Sequence, residues 1–190
     1  MIELNKIIHA DCMDIMKDIP DKYFELAIVD PPYGIGECGS RNQADRPTKK
    51  WKNPNSQIYK KFDDSNPPNK KYFDELFRIS KNQIIWGANN FTLYLPFSTG
   101  WVVWDKKVNI KELLSQCELA FTSFNIRLKK FEFLWAGFKK EIQEYRIHPT
   151  QKPVALYCWL LQNYANPGDK IIDTHSGSGS CAIACHLEKF

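Results

Sequence analysis

The chain has 190 residues, 43% of them apolar and 25% charged, with a formal net charge of +4. That length holds one domain with a proper core and not two ordinary ones, and the composition excludes a disordered chain. No apolar run is long enough to span a bilayer, and the N-terminal MIELNKIIHAD lacks a basic region followed by an apolar stretch, so neither a membrane segment nor a signal peptide is expected.

The six cysteines form no C-x-x-C pair and read as reduced thiols in a cytoplasm, which points away from a disulfide frame or a zinc site. In chain order, Asn5–Asp11 reads as a short strand ending on an acid, and CMDIMKDIP as a short helix closed by Pro20. Phe24–Asp30 is a near-continuous apolar run of the kind buried on both faces of a parallel sheet. Residues 34–68 show no periodicity and are basic, with Arg41, Arg46, Lys49, Lys50, Lys52, Lys60 and Lys61 set against Glu37 and Asp45. Loops of that length are usually functional. NKKYFDELFRIS then reads as a helix, and NQIIWG, GWVVWDK, CELAFTSF and KFEFLWAG read as strands. Pro153–Ala165 has the strongest helical pattern, with proline early, where a missing N–H costs nothing. The last segment is a turn, a strand ending at Asp173, a Gly-rich loop and a helix.

Strands alternating with helices predict an open, mostly parallel α/β sheet flanked by helices. Ligands in such sheets bind at the carboxyl ends of the strands. Asp11, Asp30 and Asp173 are each expected at such an end.

Two motifs carry chemistry. Gly177-Ser178-Gly179-Ser180-Cys181-Ala182 fits G-x-G-x-x-A, in which glycines let a backbone approach a ligand at a helix N-terminus. No Gly-Lys-Ser/Thr follows, so it is not a phosphate-binding P-loop. The second is Asp30-Pro31-Pro32-Tyr33. Both prolines fix φ and remove an N–H donor. What remains is a carboxylate and free carbonyls that only accept hydrogen bonds, beside an aromatic face, an edge suited to a planar amino group.

With these motifs in this order, the segments IIHADCMDIMKDIP, LAIVDPPYGIG, NQIIWGANNF and HPTQKPVALYCWLLQNYANPGDKIIDTHSGSGS resemble the amino-group DNA methyltransferases acting on adenine N6 or cytosine N4. The subgroup is the one, common in bacteria and phages, with the Asp-Pro-Pro-Tyr motif first and the S-adenosylmethionine (SAM) loop last. The resemblance implies a Rossmann-like SAM-dependent methyltransferase sheet with circularly permuted motif order, in a single domain over 1–190. The basic loop about 37–68 is not part of the resemblance, and the family's place for target recognition falls in an insertion about 105–146. Asp30 and the Pro31 carbonyl would accept the two hydrogens of the target amino group, with Pro32 stiffening the turn and Tyr33 stacking on a flipped base. Asp173, His175, Ser176, Gly177, Ser178 and Gly179 would line the SAM methionine portion and Asp11 would meet its adenine. Thr150 and Lys152, in the His148–Pro153 segment, would lie beside its carboxylate. The implied partner is double-stranded DNA, with a homodimer also allowed and neither metal nor membrane. DNA phosphates would be held by Arg41, Arg46, Lys49, Lys50, Lys52, Lys60 and Lys61, and Arg127, Lys129 and Lys130, in the 105–146 segment, would add DNA contacts there, the segment expected to read the bases.

The pattern departs from the family in two places. His175 stands where the family has Phe. The chain also stops at Phe190, before a strand that the family places between those ending at Asp11 and Asp173, so a truncated, weakly SAM-binding form is expected. Aspartate at position 30 favours adenine; N4-cytosine, an RNA or protein-glutamine substrate, or a catalytically dead DNA-binding remnant stay open. A nicotinamide dehydrogenase would use GSGSCA but leave Asp30–Tyr33 idle.

Overall fold

A computed structural model describes residues 2–36, 64–108, 115–136, 139–142, 147–148 and 150–190. The basic loop residues Arg41, Arg46, Lys49, Lys50, Lys52, Lys60 and Lys61 lie outside the described residues.

The centre of the molecule is β1 (Phe24–Val29), whose residues from Leu26 to Val29 are all buried. An apolar strand of this kind needs cover on both faces, and it has it. Leu26 and Ile28 point into a core with Ile84, Trp86, Val102, Trp104 and Ala120, closed by α3 (Val154–Tyr164) and α4 (Ser180–Glu188). Ala27 and Val29 point the other way, into a core with Ile85 and Phe121, closed by α1 (Cys12–Met16) and α2 (Lys70–Ile79).

Helix α2 shows how sequence sets the elements. Asn69 caps it through a side chain accepting from the Tyr72 N–H, and Tyr72, Phe73, Leu76 and Ile79 share its buried face. Each such side chain stabilises the fold by about 1.5–3 kcal/mol. Helix α3 begins after Pro153, as expected, and buries Leu156, Tyr157, Leu160, Leu161 and Tyr164.

Among the described residues the sheet has six strands in the order β5-β3-β4-β2-β1-β8, with β2 at Ser80–Trp86, β3 at Trp101–Asp105, β4 at Cys117–Thr122, β5 at Lys129–Glu132 and β8 at Ile171–Ile172. A separate hairpin pairs β6 (Trp135–Ala136) with β7 (Lys139–Lys140). Pairing is parallel for β1–β2, β1–β8 and β3–β5, and antiparallel for β2–β4 and β3–β4. The sheet is therefore mixed, parallel around β1 as expected and reversed at β4. No helix among the described residues is long and apolar enough to cross a membrane.

One expected strand is absent. Asn5–Asp11 forms no ladder; its residues are exposed, with Ile7 76% and Ile8 47% accessible. An apolar pair without a neighbouring strand to accept its N–H groups does not make a strand. The sheet ends at β8, and Asp11 is instead the N-cap of α1.

Candidate active site

Because β1, β2 and β8 run parallel, their carboxyl ends open on one edge of the sheet. Asp30 follows β1, Gly87 follows β2 and Asp173 follows β8. The reversed strand β4 brings its N-terminal end to this same edge, since Trp86 pairs with Ala120, and β3 ends there opposite Cys117 and Glu118. Glu118 and Lys106 thus join the edge by topology.

The Asp30 corner is tightly specified. Buried Asp64 accepts from the Tyr33 N–H at 2.7 Å and the Gly34 N–H at 3.0 Å, which fixes the chain after the two prolines. The Tyr33 ring lies flat against Gly87, where φ is +66° and an added Cβ would sit 2.1 Å from Tyr33 Cε1. Only glycine fits both conditions. Phe91 meets the same ring edge-on at 6.1 Å.

Both oxygens of Asp30 are engaged. Tyr33 Oη donates to Oδ1 at 2.6 Å, and Lys152 Nζ meets Oδ2 at 2.5 Å. The Lys152 side chain is only 4% exposed, and its ammonium also reaches Glu118 Oε2 and Tyr33 Oη, each at 3.1 Å. Lys106 Nζ meets the other Glu118 oxygen at 2.6 Å. Burial pushes the Glu118 carboxyl up, but Lys152 and Lys106 outweigh it and hold it at about 2. Burial likewise opposes the charge on Lys152, and Asp30 and Glu118 more than offset it. The Tyr33 phenol is raised well above its ordinary value by burial and then by Asp30.

The Gly-rich turn is built differently. Asp173 Oδ1 accepts from the His175 N–H at 2.9 Å. Desolvation pushes the Asp173 carboxyl up to about 7, against that hydrogen bond, and the charge of Asp30 adds to the rise. His175 packs edge-on against Tyr72, with Nδ1 2.9 Å from Thr174 Oγ1, and burial lowers it to about 4. Gly177 and Gly179 have φ of +50° and +75°, and an added Cβ meets nothing within 4 Å at Gly179 and only the His175 carbonyl, at 3.8 Å, at Gly177. Ser176 and Gly177 are exposed, and a cleft of about 350 Å³ adjoins the turn, lined by Ser178, Ser180, Gln151, Val154, Ile183 and Leu187 among others.

These residues fit the methionine portion of SAM. The turn leaves room for a ligand against bare backbone, and Asp173 is a carboxyl whose charge is under-compensated until a cation reaches it. An α-ammonium is such a cation.

The remaining residues singled out by sequence are placed as follows. Asp11 Oδ1 accepts from the Met13 N–H at 2.8 Å at the exposed start of α1. Thr150 is exposed, its hydroxyl 3.0 Å from His148 Nδ1. Lys152 faces the Asp30 corner. Arg127 is exposed; Lys129 reaches Asn163 at 2.8 Å and Lys130 pairs with Glu132. Both lysines sit on edge strand β5, four strands from β1 and so about 19 Å away across the sheet. Sequence reasoning did not single out Asp64 or Glu118, read Gly87 only as the end of a strand, and took Lys106 only as one of the basic residues of the 105–146 segment. For Glu118 a signal existed: a lone acid inside the apolar run CELAF.

Residues 40–189 match a family model described as DNA methylase. The chain is 24% identical over 227 residues to DNA adenine methyltransferase YhdJ of Escherichia coli (strain K12), covering 96% of this chain and 76% of YhdJ. Among solved structures it is similar to M1.HpyAVI in complex with SAM, with a TM-score of 0.54 at 18% identity, over 97% of this chain and 89% of that one. It is also similar to the cytosine-N4-specific PvuII DNA methyltransferase, with a TM-score of 0.57 at 10% identity, over 94% and 77%.

Proposed function

The chain belongs to the DNA methylase family, with SAM as methyl donor, and we propose that the atom it methylates is N6 of adenine in DNA. The observation that carries this reading is the acceptor-only corner at Asp30, which follows β1 at the same sheet edge where Asp173 and the Gly-rich turn follow the adjacent parallel strand β8. Aspartate as the first residue of the tetrad favours adenine over cytosine.

SAM supplies an electrophilic methyl carbon on a sulfonium, which leaves as a neutral thioether. The work of this chain is to make the amino nitrogen a nucleophile and to aim it. Asp30 and the Pro31 carbonyl accept its two hydrogens, which draws electron density onto the nitrogen lone pair. Each Asp30 oxygen has a second lone pair free for that bond beside the one used by Tyr33 or Lys152. The proton lost once the N–C bond forms leaves through the acceptor it already faces. Tyr33 offers the flipped base an aromatic surface. Asp173 and the Gly177–Gly179 backbone hold the amino-acid end of the donor. Arg41, Arg46, Lys49, Lys50, Lys52, Lys60 and Lys61, with Arg127, Lys129 and Lys130, are the proposed phosphate contacts.

The test is to incubate the protein with tritiated SAM and unmethylated duplex DNA, digest, and identify the labelled nucleoside. N6-methyladenine is the expected product. N4-methylcytosine overturns the adenine assignment, and label confined to RNA or protein overturns the DNA substrate.

A further inference from the structure

A lysine this deeply buried demands a full accounting of its charge and its three N–H donors. Lys152 Nζ donates to Tyr33 Oη and is ion-paired with Asp30 Oδ2 and with Glu118 Oε2, an oxygen that has no hydrogen-bond donor among the described residues. Behind Glu118 stands Lys106, 17% exposed, its ammonium 5.1 Å over the Trp104 ring. Asp30, Lys152, Glu118 and Lys106 therefore form a row of alternating sign with no net charge. Asp30 comes from β1 and Glu118 from β4, with β2 between them, and Lys152 spans the gap. Its own backbone is fixed on both sides, because Gln151 O accepts from Trp135 Nε1 at 2.8 Å and Pro153 caps α3 with φ −66°.

We propose that Lys152 is a positioning residue for Asp30, and that Glu118, braced by Lys106, holds the Lys152 ammonium charged and in place. This rests on Asp30 being the amino-hydrogen acceptor. A carboxylate that must meet an incoming N–H has to keep its plane; Tyr33 Oη fixes one oxygen and Lys152 the other. Without Glu118, Lys152 is a buried cation with a single anion, and it sheds its proton at a lower pH. The other titratable groups nearby are Tyr33, Tyr157 and Asp173. Both phenols are raised well above their ordinary range and Asp173 is at about 7, and Lys106 pairs with Glu118 while Lys152 alone of the two ammoniums meets Asp30, so the alkaline limb is assigned to Lys152.

The experiment compares wild type, Glu118→Gln and Glu118→Asp by single-turnover methylation across pH and by SAM calorimetry. Glu118→Gln is expected to lose up to about 10²-fold in rate. Its alkaline limb should move down by about 1–3 pH units, with SAM affinity unchanged, and Glu118→Asp should return the limb. A loss uniform across pH, or a parallel loss of SAM affinity, overturns the proposal. If Glu118→Gln fails to fold, Lys106→Gln replaces it: Glu118 loses its outer brace, the single-turnover rate falls with SAM affinity unchanged, and an unchanged rate overturns the proposal. If wild type methylates no DNA, the functional reading has failed on its own account. An NMR titration of Lys152 Nζ in the unliganded proteins then decides the coupling, and one common titration midpoint in wild type and Glu118→Gln overturns it.

Discussion

Two loops share one sheet edge and are built to opposite ends. The Asp30 loop leaves the central strand, and its chain is pinned by Asp64, its ring by Gly87 and its carboxylate by Tyr33 and Lys152. The Gly-rich turn leaves β8, a two-residue edge strand, and keeps exposed backbone, glycines with space around them and a carboxyl awaiting a cation. The first is preorganised, so that a small amino group meets acceptors already in position. The second is left open, so that a ligand completes it. A site that activates one reactant and admits another needs both.

The largest expected effect comes from breaking the pinned side. Lys152→Ala leaves the Asp30 carboxylate without its cation and Glu118 with Lys106 alone, and should cost about 3–5 kcal/mol in denaturant unfolding. A loss under about 1 kcal/mol contradicts the burial and pairing described.

Next comes a pair of glycines that sets the two loops side by side. At Gly87 an added Cβ meets both a left-handed φ and the Tyr33 ring. Gly87→Ala should therefore cost roughly 2–5 kcal/mol, combining strain with overpacking, and should impair methyl transfer more than SAM binding. Gly179→Ala meets only the φ penalty, about 1–2 kcal/mol, and should weaken SAM binding more than the fold. Equal stability losses at the two positions break the comparison.

The smallest net effect is the pH dependence of stability in the unmutated chain, where two buried groups pull in opposite directions. Asp173 is raised from 3.8 to about 7, so the folded state holds its proton more tightly, and its contribution is lost as pH rises from about 4 to about 7. His175 is lowered from 6.5 to about 4, so the folded state resists protonation, and stability is gained as pH rises over about 4 to 6.5. The two slopes oppose each other. Asp173→Asn should leave stability rising with pH in that window, and His175→Phe should leave it falling. Thermal unfolding at several pH values checks both signs.

Much of this was legible in local pattern. The apolar run before Asp30, the 3.6-residue face of α2 and the glycine spacing at 177–179 each record a backbone demand in adjacent residues. The Lys152 contact with Asp30 and the arrival of Glu118 and Lys106 were not legible, because they depend on β4 running backwards. A buried strand has the same residue pattern in either direction. Asn5–Asp11 misled for a related reason: a strand exists only with a partner, and the sequence of one segment does not name its neighbour. Asp64 closes a long aperiodic loop, where nothing in the spacing marks it as the acceptor for Tyr33 and Gly34.

The most direct measurement swaps a single acceptor for a donor. Asp30→Asn keeps the shape of the corner but presents an N–H₂ where the amino group must find an oxygen. Single-turnover methylation should fall by about 10²–10³-fold, while calorimetry shows SAM affinity within error of wild type. Methylation at the wild-type rate in Asp30→Asn would contradict the account at its root.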